Sequence, residues 1–231
     1  MKYMGIDLAL NHSGAVLLGE NGNEPLDYRF VAEEAKPVNA SKGQGTRWQR
    51  PKARNERNPD GGLDDHEISL MRLDFMESLV NCWIDDFEPD FIGIEHYAYD
   101  ATGAHQLGEM GGVVRLAIAR RAIPQRWHDI QSVKMWAANA GNATKEEVVE
   151  GVRERWGVSF DRFAVSDKNA KTVEDLCDSY TLAQMVRTEH RVRSGSVRLD
   201  ELNPKEIQVF NRITKAMPLG LTQRDWTKLG G

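Results

Sequence analysis

Cysteine is nearly absent from this 231-residue chain, with Cys82 and Cys177 its two examples. So few thiols exclude a disulfide framework, and no Cys/His spacing of the zinc-binding kind is present. Both fall in periodic apolar segments and are expected to be buried free thiols, as in a reducing compartment. Long apolar runs are missing too. None approaches the ~18–20 residues that span a bilayer, so no membrane association is expected. A second, glycine-rich phosphate loop is lacking: Gly111-Gly112 lies inside a helical pattern. That argues against the ATP-binding proteins that share a strand aspartate, which also need a much longer chain. No internal repeat is visible. The first residues, MKYMGIDLAL, enter a strand pattern directly, without a cleavable signal layout, and a cytoplasmic location is expected.

What is there suits one α/β domain with an insertion and a tail. Apolar residues make up 40% of the chain, enough to bury a core. The net charge of -5 speaks against nucleic-acid binding until its distribution is considered. Lys36, Lys42, Arg47, Arg50, Lys52, Arg54 and Arg57 crowd one segment against the single acid Glu56, with Trp48 among them. Arg115, Arg120, Arg121, Arg126 and Lys134 form a second cluster. Phosphate contacts depend on local potential, so an acidic chain with basic surfaces can still bind DNA.

Strands are expected at residues 2–9, 13–20, 27–33, 91–96 and 123–130. Residues 36–63 read as a basic loop insertion. A helix from Asp64 should bury Ile68, Met71, Phe75, Leu79 and Trp83. Another, from Ala104 to about Arg121, should bury Leu107, Met110, Val114 and Ile118. A third starts at the capping box of Thr144 and Glu147, and a fourth spans roughly Val173–Arg187. A last helix in the tail, residues 188–231, has Asn203 as cap and Pro204 in its first turn. Three strands followed by alternating helices and strands imply a mixed five-stranded sheet with helices on both faces, the layout of the ribonuclease H-like fold.

Four carboxylates break the apolar pattern. Asp7 ends the buried strand GIDLA, and Glu95 ends the strand FIGIEH in the same Gly-Ile-acid context. A buried carboxylate is unfavourable unless compensated, and a bound metal is one efficient compensation. Neighbouring strands lie about 4.8 Å apart, so two such acids can share one site. Asp175 and Asp178 stand at i and i+3 near the start of a late helix. Acids favour helix N-termini for dipole reasons alone, so that pair acquires meaning only beside Asp7 and Glu95. Two magnesium ions about 4 Å apart, held by such oxygens, can activate water and stabilise a leaving 3′ oxygen in phosphodiester cleavage.

The strand Asp, the strand Glu and the D-x-x-D pair resemble the RuvC family of Holliday-junction resolvases. IEHYAYDATGAHQLGEMGGVVRLAI is similar to that family's Glu-bearing strand and following helix, GNATKEEVVEGV to its Gly-x-Ala-x-Lys-x-x-Val stretch, and DLCDSYTLA to its late helix start. The resemblance covers roughly residues 2–187, excepting the insertion. It implies a homodimeric endonuclease nicking four-way DNA junctions with Mg2+, or Mn2+ in its place. Asp7, Glu95, Asp175 and Asp178 would be the metal ligands and Lys145 would contact backbone phosphate.

The insertion and the tail depart from the cellular enzymes and point to a divergent, phage-encoded member. Tyr97 and Tyr99 flank the family's junction-stacking aromatic without matching its register. Some members carry His for the first Asp of the pair, so Asp175 is expected to be less essential than Asp178. Arg47, Trp48, Arg50, Lys52 and Arg54 are expected to meet a DNA arm. Two readings stay open: a ribonuclease H-type or flap nuclease on the same fold, and a non-catalytic DNA-binding scaffold.

Overall fold

The computed structural model describes residues 1–10, 12–32, 44–47, 64–96, 103–161 and 170–216. Strands β1 (Lys2–Leu8), β2 (Ser13–Gly19) and β3 (Asp27–Ala32) form an antiparallel meander. Helix α1 (Asp65–Phe87), strand β5 (Phe91–His96), helix α2 (Ala104–Arg120) and strand β6 (Gln125–Asp129) follow. Both β5 and β6 join in parallel, giving the five expected strands in the order β3-β2-β1-β5-β6. A sixth, β4 (Gln44–Arg47), comes from within the basic segment and pairs in parallel with β3 at the edge. The architecture is completed by α3 (Ile130–Ala138), α4 (Lys145–Trp156), α5 (Ala170–Arg193) and α6 (Pro204–Ala216).

Local chemistry sets the helix starts. Asp64 and Glu67 close a capping box on α1, Thr144 and Glu147 another on α4, and Asn203 Oδ1 accepts from two backbone N–H groups of α6. Helix α3 departs from expectation. The strand anticipated up to residue 130 ends at Asp129, whose side chain accepts from the Ser132 N–H and Oγ and starts a helix at once. Helix α5 continues past Arg187 to Arg193.

The sheet separates two cores. On one face, Met4, Ile6, Ala15, Leu17, Ile92 and Ile94 pack against α1 and α2. Met110, Val114 and Ile118 of α2 are buried as expected. The α1 stripe is rotated from the expected one: Ile68, Arg72, Met76, Leu79, Val80 and Trp83 are buried, whereas Met71 is half exposed. Buried Arg72 interrupts the apolar run and hides this face from hydropathy. On the other face α5 crosses β1, β2 and β5, burying Leu176, Tyr180, Ala183 and Val186.

Glycines admit α5 to this contact. A Cβ on Gly5 would lie 1.9 Å from the Ser179 carbonyl oxygen, one on Gly14 2.8 Å from that of Asp175, and one on Gly93 2.7 Å from that of Leu182. Backbone therefore rests on backbone. Of the two cysteines, Cys177 is buried here as expected, but Cys82 is exposed, on the solvent side of α1. Among the described residues no helix is long and apolar enough to cross a membrane.

Candidate active site

Side chains alternate along a strand, so the residue two places after a glycine points to the same face. In Gly5-Ile6-Asp7 and Gly93-Ile94-Glu95 the glycine admits α5, and the acid then projects toward the start of that helix. The β1–β5 pairing runs through Ile6 and Ile94, which places Asp7 and Glu95 one step further along adjacent strands. Ser179 ties strand to helix: its hydroxyl accepts the Asp7 N–H at 3.2 Å and donates to the Asp175 carbonyl at 2.7 Å. Asp175 and Asp178 thus reach the two strand acids.

The electrostatics report the gathering. Burial, then the charges of Glu95, Asp175 and Asp178, push the Asp7 carboxyl well above the usual carboxylate range. Burial, then Asp178 and Asp175, raise Glu95 to about 8. Burial, then Asp175, raise Asp178 to about 7. Lys145 pulls all three down, and Lys134 opposes the rise of Glu95 and Asp178. Lys145, at the start of α4, donates to Glu174 Oε2 at 2.6 Å. Burial works against its ammonium, but the bond to Glu174 and the charges of Glu174, Asp175 and Asp178 outweigh that and raise its pKa.

Two neighbours went unassigned from sequence. Lys134 read only as part of a basic cluster, because α3 was not anticipated. His12, in the turn between β1 and β2, places Nδ1 2.8 Å from Asp175 Oδ2. A turn histidine carries no periodic signal that could have marked it.

The donor set fits divalent cations. Four buried or half-buried acids face two lysines, one already engaged by Glu174. Among the described residues, no three His, Cys, Asp or Glu side chains stand close enough to enclose a metal unaided. Magnesium seldom needs that: it usually takes one or two protein carboxylates and keeps water and substrate phosphate as its other ligands.

The remaining expected DNA contacts divide. Arg47 closes β4. Trp48, Arg50, Lys52, Arg54, Tyr97 and Tyr99 lie outside the described residues. The second basic cluster is not one surface. Arg126 is buried on Glu189, Arg121 pairs with Asp85, Arg120 with Glu77, and Arg115 covers the Trp127 ring at 4.2 Å.

The sheet order and the helices on both faces have the layout expected from the sequence. Residues 65–156 match the model of the family described as crossover junction endodeoxyribonuclease RuvC, and over that stretch the chain is similar to RuvC. The RuvC of Mycobacterium sp. (strain KMS) is 35% identical over 83 residues, covering 35% of this chain and 45% of that protein. The RuvC of Saccharopolyspora erythraea is 30% identical over 97 residues, covering 41% and 48%. The chain spans about half the length of the curated relatives it matches. Among solved structures, Thermus thermophilus RuvC is 20% identical with a TM-score of 0.49, covering 80% of this chain and 96% of that one. The yeast mitochondrial Holliday junction resolvase is 13% identical with a TM-score of 0.44, covering 97% and 82%. The family match includes Glu95 and Lys145. Asp7, Asp175 and Asp178 lie outside it and meet Glu95 through the fold.

Proposed function

We propose that this protein is a metal-dependent DNA endonuclease that resolves four-way junctions by paired nicking as a homodimer. One observation carries the reading: the stretch similar to RuvC contributes Glu95 to a site whose other three acids come from β1 and α5. Asp7, Glu95, Asp175 and Asp178 would hold Mg2+, or Mn2+ in its place. Those ions would supply an activated water and charge stabilisation for the leaving 3′ oxygen. Lys145 and the Lys36–Arg57 segment, with Tyr97 or Tyr99 at the open centre, would bind and orient the junction.

A two-fold dimer places two sites on symmetry-related strands. Helices α1 and α2 are its candidate surface. Val80 is spent in the core and Leu73 and Val113 are partly covered, but Leu70 and Leu116 remain 52% and 51% exposed.

The test is a labelled four-way junction, a fork, a linear duplex and an RNA–DNA hybrid, each with Mg2+, beside sedimentation of the protein. Opposed nicks in the junction by a dimer are expected. Asp7→Asn should bind the junction yet cleave about 10³-fold more slowly, several kcal/mol of lost transition-state stabilisation. Near-normal nicking by Asp7→Asn would overturn the site. A monomer cutting hybrids would move the substrate to RNA.

A further inference from the structure

Asp175 is the most enclosed acid of the site, with its side chain 4% exposed, and its Oδ2 accepts no hydrogen bond. His12 Nδ1 is likewise buried and without a hydrogen-bond partner. Yet these two atoms lie 2.8 Å apart. At that separation a well-directed N–H···O bond would form if the ring edge faced the oxygen, and it does not. Two buried atoms at ion-pair distance but without a directed hydrogen bond match the spacing of two ligands on one ion: adjacent donors of an octahedron with bonds of about 2.1 Å stand about 3.0 Å apart. The turn that carries His12 is held in place, since the Ala9 N–H donates to Ser13 Oγ and that hydroxyl donates back to the Ala9 carbonyl.

We propose that His12 is a nitrogen ligand of the site, its Nδ1 and Asp175 Oδ2 together taking one divalent cation. This deepens the metal-dependent nuclease reading and rests on it. The consequence is selectivity. Magnesium takes hard oxygen donors and gains little from an imidazole; manganese also prefers oxygen but tolerates a nitrogen ligand better, and later first-row ions take one more readily still. The site therefore favours Mn2+ over Mg2+ more than four carboxylates alone would. It also gives Asp175 a role apart from Asp178: it serves the ion bound beside the β1–β2 turn.

The test uses the full chain without DNA. Mn2+ is titrated in and followed by electron paramagnetic resonance, with pulsed measurement of coupling to ligand nitrogen. Wild-type protein is expected to show directly bound imidazole ¹⁴N, and His12→Gln to lose it. That loss separates His12 from His128, which lies beside Glu95 in the β5–β6 register. Mn2+ affinity should fall about tenfold or more in His12→Gln. Mg2+ affinity, measured by competition, should fall less. Tight Mn2+ binding by wild-type protein without nitrogen coupling overturns this assignment alone, and needs no variant to fold. An unchanged Mn2+ affinity in His12→Gln does the same. No binding of either ion to the wild type overturns the metal reading of the whole site with it.

Discussion

The two faces of the sheet are built on opposite plans. Toward α1 and α2, large side chains such as Met4, Ile6, Ile92 and Ile94 fill the space between layers. Toward α5, Gly5, Gly14 and Gly93 remove side chains, and helix backbone approaches strand backbone. Among the described residues, every strongly shifted titratable group on the sheet faces α5: Tyr3, Asp7, Glu95 and His128, the last two residues after Arg126 and on its face, where the Arg126 guanidinium reaches Glu189 of α5. Both faces bury apolar side chains, but on the α5 face, beside Tyr3, Val16, Leu18 and Tyr180, the close backbone contact also holds charged groups in fixed places. Close approach is what lets carboxylates from three elements share one volume.

Breaking the close layer should have the largest effect. Gly5→Ala drives a methyl into the Ser179 carbonyl and is expected to destabilise by about 3 kcal/mol or more. Ile6→Val, its neighbour facing α1 and α2, should lose about 1 kcal/mol by leaving a small gap. Chemical denaturation of both variants checks the contrast, and equal losses would abolish the distinction between the faces.

A middle-sized effect concerns pH in metal-free protein. Glu95 and Asp178 have folded pKa values raised to about 8 and 7, so the native state binds more protons than the unfolded chain above the ordinary carboxylate range. Their contribution is complete below that range and is lost as pH rises through about 7 to 8. His128 acts on the other flank. Burial, then Arg126, lower it to about 3, so its contribution holds above the ordinary histidine pKa and is lost as pH falls from about 6.5 toward 3. Thermal melts in chelator should show stability falling by about 4 kcal/mol from pH 6 to 8.5. Asp178→Asn should flatten that alkaline limb and leave the acid limb intact.

The smallest effect sharpens the comparison from outside it. Gly112 sits in α2 with nothing within 4 Å of a Cβ built on it. Gly112→Ala should stabilise by about 1 kcal/mol through helix propensity alone, read as a rise in melting temperature.

These contrasts also explain what was legible in the sequence. Gly-Ile-Asp and Gly-Ile-Glu state both halves of the close layer, a missing side chain and a charge two residues later, so β1, β5 and their acids could be read directly. Asp175 and Asp178 resemble ordinary helix-start acids and took meaning only from company. Helix α3 was hidden because Ile123, Trp127 and Ile130 bracket one strand-length segment, while Asp129 already caps a helix within it. Strand β4 (QGTR) has no apolar alternation to announce it, and its pairing with β3 is all that makes it a strand. Lys134 became visible only with α3, and His12 only when the β1–β2 turn met Asp175.

The Ser179 bridge has a consequence in time. It joins Asp7 to a residue 172 positions later in the chain. Contacts of such high sequence separation form late, because loop closure must precede any gain from them. During synthesis β1 and β5 leave the ribosome long before α5, so their acids still lack Asp175 and Asp178. The proposed nuclease centre is therefore assembled only when the last large helix docks, and a chain arrested before that point carries Asp7 and Glu95 without the partners needed to cut DNA.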